Sequence, residues 1–120
     1  MSELLLLRTT GEGAPAVEQG GADPAKLVSG TYQTKTWNHF TGENGRLHCG
    51  IWESTPGKVT VDYSEWEFCH VISGRAVLTT EEGRSWTVAM GDAMIIPAGF
   101  KGTWETVETV RKHYVILLPA

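Results

Sequence analysis

Glu67 is the residue of this chain best placed to do chemistry. It opens Glu67-Phe68-Cys69-His70-Val71-Ile72, which reads as a β-strand ending in a turn at Ser73-Gly74, with a second strand from Arg75 to Thr80. Strand residues alternate between faces, so Glu67, Cys69 and Val71 share one face and Phe68, His70 and Ile72 the other. Large apolar groups stand on both faces, which predicts cover on both sides. A carboxylate taken out of water there needs a partner, a metal or a proton. Two placements are open: Glu67 touches water at a barrel mouth, or it points into a pocket as a general acid or base. If the strand is unbroken, Tyr63 and Glu65 share its face, and a bulge near Ser64 would change that. Further along, Gly102, Trp104 and Thr106 share a face; Trp104 offers a flat apolar wall, and Gly102 leaves room. Lys112 shares a face with Tyr114 and Ile116. Lys101 and Lys112 are the cations expected to pair with a carboxylate or meet an anionic ligand. The candidate ligand-binding set is therefore Tyr63, Glu65, Glu67, Trp104, Lys112 and Tyr114, with Glu67 also the candidate catalytic residue. Carboxylates, phenol, lysine and an aromatic wall form the usual mixture of a small-molecule site. The same residue types also close the ends of structural barrels. Arg111-Lys112-His113 reads equally as a solvated edge that discourages strand aggregation, and Cys69, His70 and Arg111 read as structural.

At 120 residues the chain is one domain, with ordinary hydrophobic (41%) and charged (20%) content. A net charge of −4 argues against nucleic acid and anionic membranes as partners. The Leu4 to Leu7 run is too short for a signal core and has no basic flank, and no apolar run reaches membrane-spanning length. Cys49 and Cys69 lie in apolar strand-like contexts and read as reduced core thiols of a cytoplasmic protein.

The elements that must position these residues are short strands. Leu4 to Leu7 reads as a lone apolar strand needing a sheet edge, its own or a partner chain's. Gly11 to Pro24 lacks a hydrophobic period and reads as a loop, with one helical turn at Asp23-Pro24-Ala25-Lys26. This predicts a strand and flexible segment over 1–29 and a barrel over 30–120. In the barrel, strands are expected at Tyr32–Phe40, Arg46–Ser54, Val59–Tyr63, Glu67–Ile72, Arg75–Thr80, Ser85–Ala89, Ala93–Ile96, Thr103–Val107 and Lys112–Leu118. Thr55-Pro56-Gly57 suits a type II turn, and Glu81-Glu82-Gly83 a hairpin between two of the strands. Many short strands with Gly/Pro punctuation and no long helix indicate an all-β sandwich or closed barrel. Five tryptophans this widely spread belong mostly to a core or a cavity lining.

Glu67 followed six residues later by Gly74, and Gly91-Asp92-Ala93-Met94-Ile95-Ile96-Pro97-Ala98-Gly99, resemble the end of the first and the start of the second cupin motif. The resemblance runs from about Gly30 to Leu118 and implies a cupin-type double-stranded β-helix, a jelly-roll barrel. Gly50-Ile51-Trp52-Glu53, Thr55-Pro56-Gly57, Gly102-Thr103-Trp104 and Val110-Arg111-Lys112-His113-Tyr114 are similar to a group of small cupins. That group is related to the cupin domains of ureidoglycine aminohydrolase and of the ethanolamine-utilisation proteins. The family's metal site uses two histidines shortly before the glutamate and one in the second motif. Here Thr60 to Trp66 holds no histidine, and the last position is Gly102. Only the glutamate survives, and one carboxylate does not hold a transition metal. Asp62 and Tyr63 as replacements would suit a hard, weakly held cation. His70 faces away from Glu67, His113 diverges from Tyr114, and His39 and His48 fall on earlier strands.

The pocket residues together with the missing metal ligands indicate a small-molecule-binding cupin with a degenerate metal motif and no cofactor, and the resemblance to small cupins, with the unpaired Leu4–Leu7 strand, implies a homodimer. Two alternatives stay open. One is an enzyme acting on a small polar metabolite, nitrogenous ones included, with Glu67 as acid or base and Lys112 as electrostatic partner. The other is a structural, oligomerising barrel.

Overall fold

The computed structural model describes residues 3–120. Nine strands follow in order: β1 (Glu18–Gly21), β2 (Leu27–Gly30), β3 (Gln33–Gly42), β4 (Leu47–Ser54), β5 (Gly57–Asp62), β6 (Trp66–Thr80), β7 (Ser85–Ala89), β8 (Ala93–Ile96) and β9 (Lys101–Leu117). All pair antiparallel in one curled sheet. The two longest strands, β6 and β9, pair along most of their length. The far edge of β9 carries β5 on its first half and β4 on its second. The far edge of β6 carries β8 first and then β7. The path β1-β3-β4-β9-β5-β2 completes the sheet.

Alternation holds along β6. Glu67, Cys69 and Val71 are buried, while Phe68, His70 and Ile72 are not. The outer face is thus only partly covered, short of the cover that its apolar residues suggested. Ser73-Gly74 does not end the strand. It forms a bulge against β9, after which the inward set becomes Ala76 and Leu78. Gly74 sits at φ +83°, and a Cβ there would run into the Thr109 carbonyl. The punctuation is real, and close strand approach makes it a bulge rather than a turn. In the same way, the two strands expected at 103–107 and 112–118 are one strand, β9.

Thr55-Pro56-Gly57 is not a type II turn. Gly57 has φ +154° and belongs to β5, and a Cβ on it would lie 2.7 Å from that of Tyr32. The bend carries the chain from one half of β9 to the other. The Glu81–Gly83 hairpin and the single turn at 23–26 form as expected.

Gly11 to Pro24 is not all loop, because β1 lies within it and pairs with β3. Both β1 and β2 are exposed throughout; backbone pairing holds them, and that leaves no hydrophobic period to read. Leu4 to Leu7 forms no strand and pairs with no strand among the described residues; Leu4, Leu5 and Leu6 are exposed. The core gathers Val59, Cys69, Val71, Ala76, Leu78, Val88, Ile96, Trp104 and Val110. Trp37 and Trp104 are buried and Trp52 packs against the core, but Trp66 and Trp86 are exposed. Both cysteines are free thiols, Cys69 buried and Cys49 partly so. Among the described residues no helix is long and apolar enough to cross a membrane.

Candidate functional site

The inward faces of β6 and β9, with β3 and β4 beside them, enclose a cavity of about 640 Å³. Tyr63, Glu65, Glu67, Trp104, Lys112 and Tyr114 all line it. Of the two placements open to Glu67, the structure has the inward one, at 4% exposure.

Lys112 lies opposite Val71, two inward positions along β6 from Glu67. Its four-carbon stem carries the ammonium back to the carboxylate, and Nζ donates to Glu67 Oε2 at 2.9 Å. Each side chain of this pair is only 5% exposed. The ammonium also lies 4.8 Å from the Trp52 ring and 4.5 Å from the Trp104 ring. Two indole faces and one carboxylate thus hold a single positive charge. Burial works to lower the lysine pKa, but Glu67, Cys69 and Tyr63 outweigh it and hold Lys112 above the usual lysine range.

Glu67 Oε2 also accepts from the Cys69 thiol at 3.1 Å. Burial pushes that thiol up to about 12; the Glu67 charge adds to the rise and Lys112 opposes it. Cys69 therefore stays protonated at neutral pH and is a donor, not a nucleophile. Oε1 has no hydrogen-bond partner among the described residues. No enclosed side-chain oxygen there lacks one, so Oε1 opens on the cavity.

The aromatic wall is fixed by buried hydroxyls. Trp104 Nε1 donates to Thr106 Oγ1 at 2.9 Å. Ser54 Oγ, 2.6 Å from Thr106 Oγ1, spends its proton on the Thr55 carbonyl, so the threonine donates to the serine. Trp52 packs edge-on to Trp104 at 5.6 Å, and Tyr32 follows at 6.3 Å from Trp52. Tyr32 holds a left-handed backbone, φ +49°, a strained conformation of the kind that clusters at binding sites. Tyr114 donates to Asn38 Oδ1 at 2.7 Å. Burial pushes Tyr32 and Tyr114 each up to about 12 and Tyr63 above the usual phenol range, so all three remain neutral.

Several expectations are corrected. Lys101 does pair with a carboxylate, but with exposed Asp62 at 3.8 Å and away from the cavity lining. Asp62 does not join Tyr63 there, since the two residues alternate and only Tyr63 lines it. Gly102 does not make room in the cavity. Its missing Cβ would strike the Thr79 carbonyl, so it is glycine for the β6–β9 approach. Arg111-Lys112-His113 is not a solvated edge, because β9 has neighbours on both sides. Arg111 pairs with Glu53 at 2.8 Å and lies over Trp37. His70 and His113 face each other outside the barrel, Nδ1 to Nδ1 3.4 Å. His48 does line the cavity.

The model of the EutQ-like cupin domain matches residues 41–114. The chain belongs to the EutQ-like cupin family. A protein of unknown function of the DUF861 family from Pseudomonas syringae pv. tomato is 30% identical, with TM-score 0.76, over 84% of this chain and 44% of its own. The EutQ protein of Clostridium difficile is 26% identical, with TM-score 0.64, over 72% of this cupin and 63% of its own length. A DUF861 protein from Thermotoga maritima is 34% identical, with TM-score 0.52, over 53% of this chain and 73% of its own. This cupin thus spans less than two thirds of the first two. No curated protein matches the chain.

The metal that the cupin pattern implies does not fit these residues. Glu67 is the one surviving ligand position, and its Oε2 already holds an ammonium. A divalent ion on that oxygen would be set against a fixed positive charge. Trp52, Tyr32 and Asn38 complete the site and were not among the candidates. Trp52 had a legible signal, sharing its face with His48; Tyr32 and Asn38 had none.

Proposed function

We propose that this cupin is a metal-independent small-molecule binder whose cavity is built around a buried Lys112–Glu67 ion pair. The observation that carries this reading is the placement of Lys112 Nζ, 2.9 Å from the carboxylate at the family's metal-ligand position. A side-chain cation there supplies the charge that a metal would otherwise supply. The remaining wall of indoles, phenols and carboxylates suits a small polar ligand, and the cavity volume falls within the range of small-molecule sites. The enzyme reading is less well supported: Cys69 and the three phenols hold their protons at neutral pH, and Glu67 is engaged with Lys112.

A thermal-shift screen with small metabolites on the dialysed protein tests the proposal. A stabilising hit that persists in chelator supports it, by mass action. A protein that binds ligands only after stoichiometric Mn, Fe, Ni or Zn is restored overturns it. Turnover of the hit would move the cupin to the enzyme class.

A further inference from the structure

The lining of the cavity is unbalanced in charge. Among the described residues, Glu18, Glu65 and Glu67 face it with Lys112 as the only lysine or arginine, an excess of two negative charges when His48 is neutral. The ammonium is already committed to Glu67 and two indole faces. Glu18 and Glu65 are ion-paired to nothing among the described residues. Acidic residues at a rim are ordinary on their own. What makes these different is Glu67, a carboxylate 5% exposed at the cavity wall whose Oε1 has no hydrogen-bond partner among the described residues. Oε1 opens on the cavity and is free to accept from a donor on a ligand.

A second cavity of about 300 Å³ shares Tyr32, Tyr63 and Glu65 with the first and adds Asp23 and Asp62 against Lys26. With Asp62 paired to Lys101, these added charges balance, and Glu65 is the acidic residue that the two cavities share. Tyr32, Tyr63 and Tyr114 line the cavity as neutral phenols and add no negative charge of their own.

We infer that the ligand of this cavity is a small organic cation, an amine or guanidinium whose N–H groups donate to Glu67 Oε1 while Glu65 and Glu18 balance its charge. Lys112 does not contact the ligand's charge. It neutralises Oε2, so that one carboxylate oxygen remains for recognition. This assignment rests on the small-molecule reading above and narrows it to a charge class. An anionic metabolite is disfavoured by the same residues, since the one lysine available to it is enclosed.

The test uses three probes of matched size on the full chain: benzylammonium, benzyl alcohol and benzoate. Binding is read from the indole N–H resonances of Trp52 and Trp104 and from salt dependence. Benzylammonium is expected to bind, the other two to bind more weakly or not at all, and added salt to weaken the cation. Replacing both rim carboxylates, Glu18→Gln with Glu65→Gln, is expected to weaken benzylammonium about tenfold. Benzyl alcohol or benzoate binding as well as the cation would overturn the charge assignment and leave the binding reading standing. If all three probes are silent, the strongest hit of the metabolite screen decides. A neutral or anionic hit overturns the inference, a cationic hit weakened by the same double variant supports it, and a screen with no hit removes the binding reading along with it.

Discussion

Lys112→Met keeps the length and most of the volume of the side chain and removes its charge. The pair it breaks has N and O 2.9 Å apart with both side chains 5% exposed, so solvent screens it little. At an effective dielectric of about 20, the attraction at that distance is about 6 kcal/mol. Desolvation of both groups offsets much of this in the intact protein. The variant loses the attraction and leaves Glu67 buried without its cation. The expected loss is therefore about 3–5 kcal/mol, the range for removing one partner of a buried pair. At about 3–4 °C per kcal/mol for a chain of this size, that lowers Tm by roughly 10–20 °C. Removing the second charge as well, Lys112→Met with Glu67→Leu, is expected to recover most of the loss, because no uncompensated charge remains. Urea titration of wild type, both single variants and the double variant measures the coupling directly. The sign with pH follows from Lys112 lying above the usual lysine range. Its contribution is complete below the unfolded lysine pKa of about 10.4 and is lost as pH rises through the higher folded value. A Lys112→Met variant within 1 kcal/mol of wild type would refute the pairing as the organising interaction of the cavity. So would a double variant no more stable than the worse single one.

Cys69, buried and pushed up to about 12, is expected to resist iodoacetamide at pH 8 in the native protein while part-buried Cys49 labels faster; mass spectrometry showing equal rates contradicts this. Gly102→Ala is expected to cost at least about 2 kcal/mol, since its methyl meets the Thr79 carbonyl; an unchanged urea midpoint would mean that β6 and β9 are not so closely apposed. Burial, with His70 and His39, holds His113 below the usual histidine range. Its stabilising share is therefore present above the unfolded histidine pKa of about 6.5 and lost as pH falls through the lower folded value, and His113→Gln should flatten the stability profile there. The chain is expected to be a homodimer, with light scattering at micromolar concentration as the check; deleting residues 1–8 tests whether the exposed Leu4–Leu6 segment contributes.

Much of the barrel was legible because its determinants are local. Alternation follows from the period of an extended chain, and it put Glu67 with Cys69 and Val71, and Lys112 with Tyr114 and Ile116, on common faces; Tyr63 and Glu65 line the cavity too, but from the break between β5 and β6, where strand alternation does not apply. Glycine and proline marked the places where the chain departs from a plain strand. Pattern alone did not say which departure: Gly74 is a bulge and Gly57 a bend between halves of β9, because another backbone passes too close for a Cβ. β1 and β2 left no trace in the sequence, since an exposed edge strand is held by main-chain groups that every residue carries. The site divided along the same line. Residue types and faces nominated Glu67 and Lys112 separately. Only β6 lying against β9 brought a lysine opposite Val71 within reach of a carboxylate four residues earlier, between two indoles from different strands. That meeting depends on register and barrel curvature, which arise from pairing between distant segments and are written in neither segment alone.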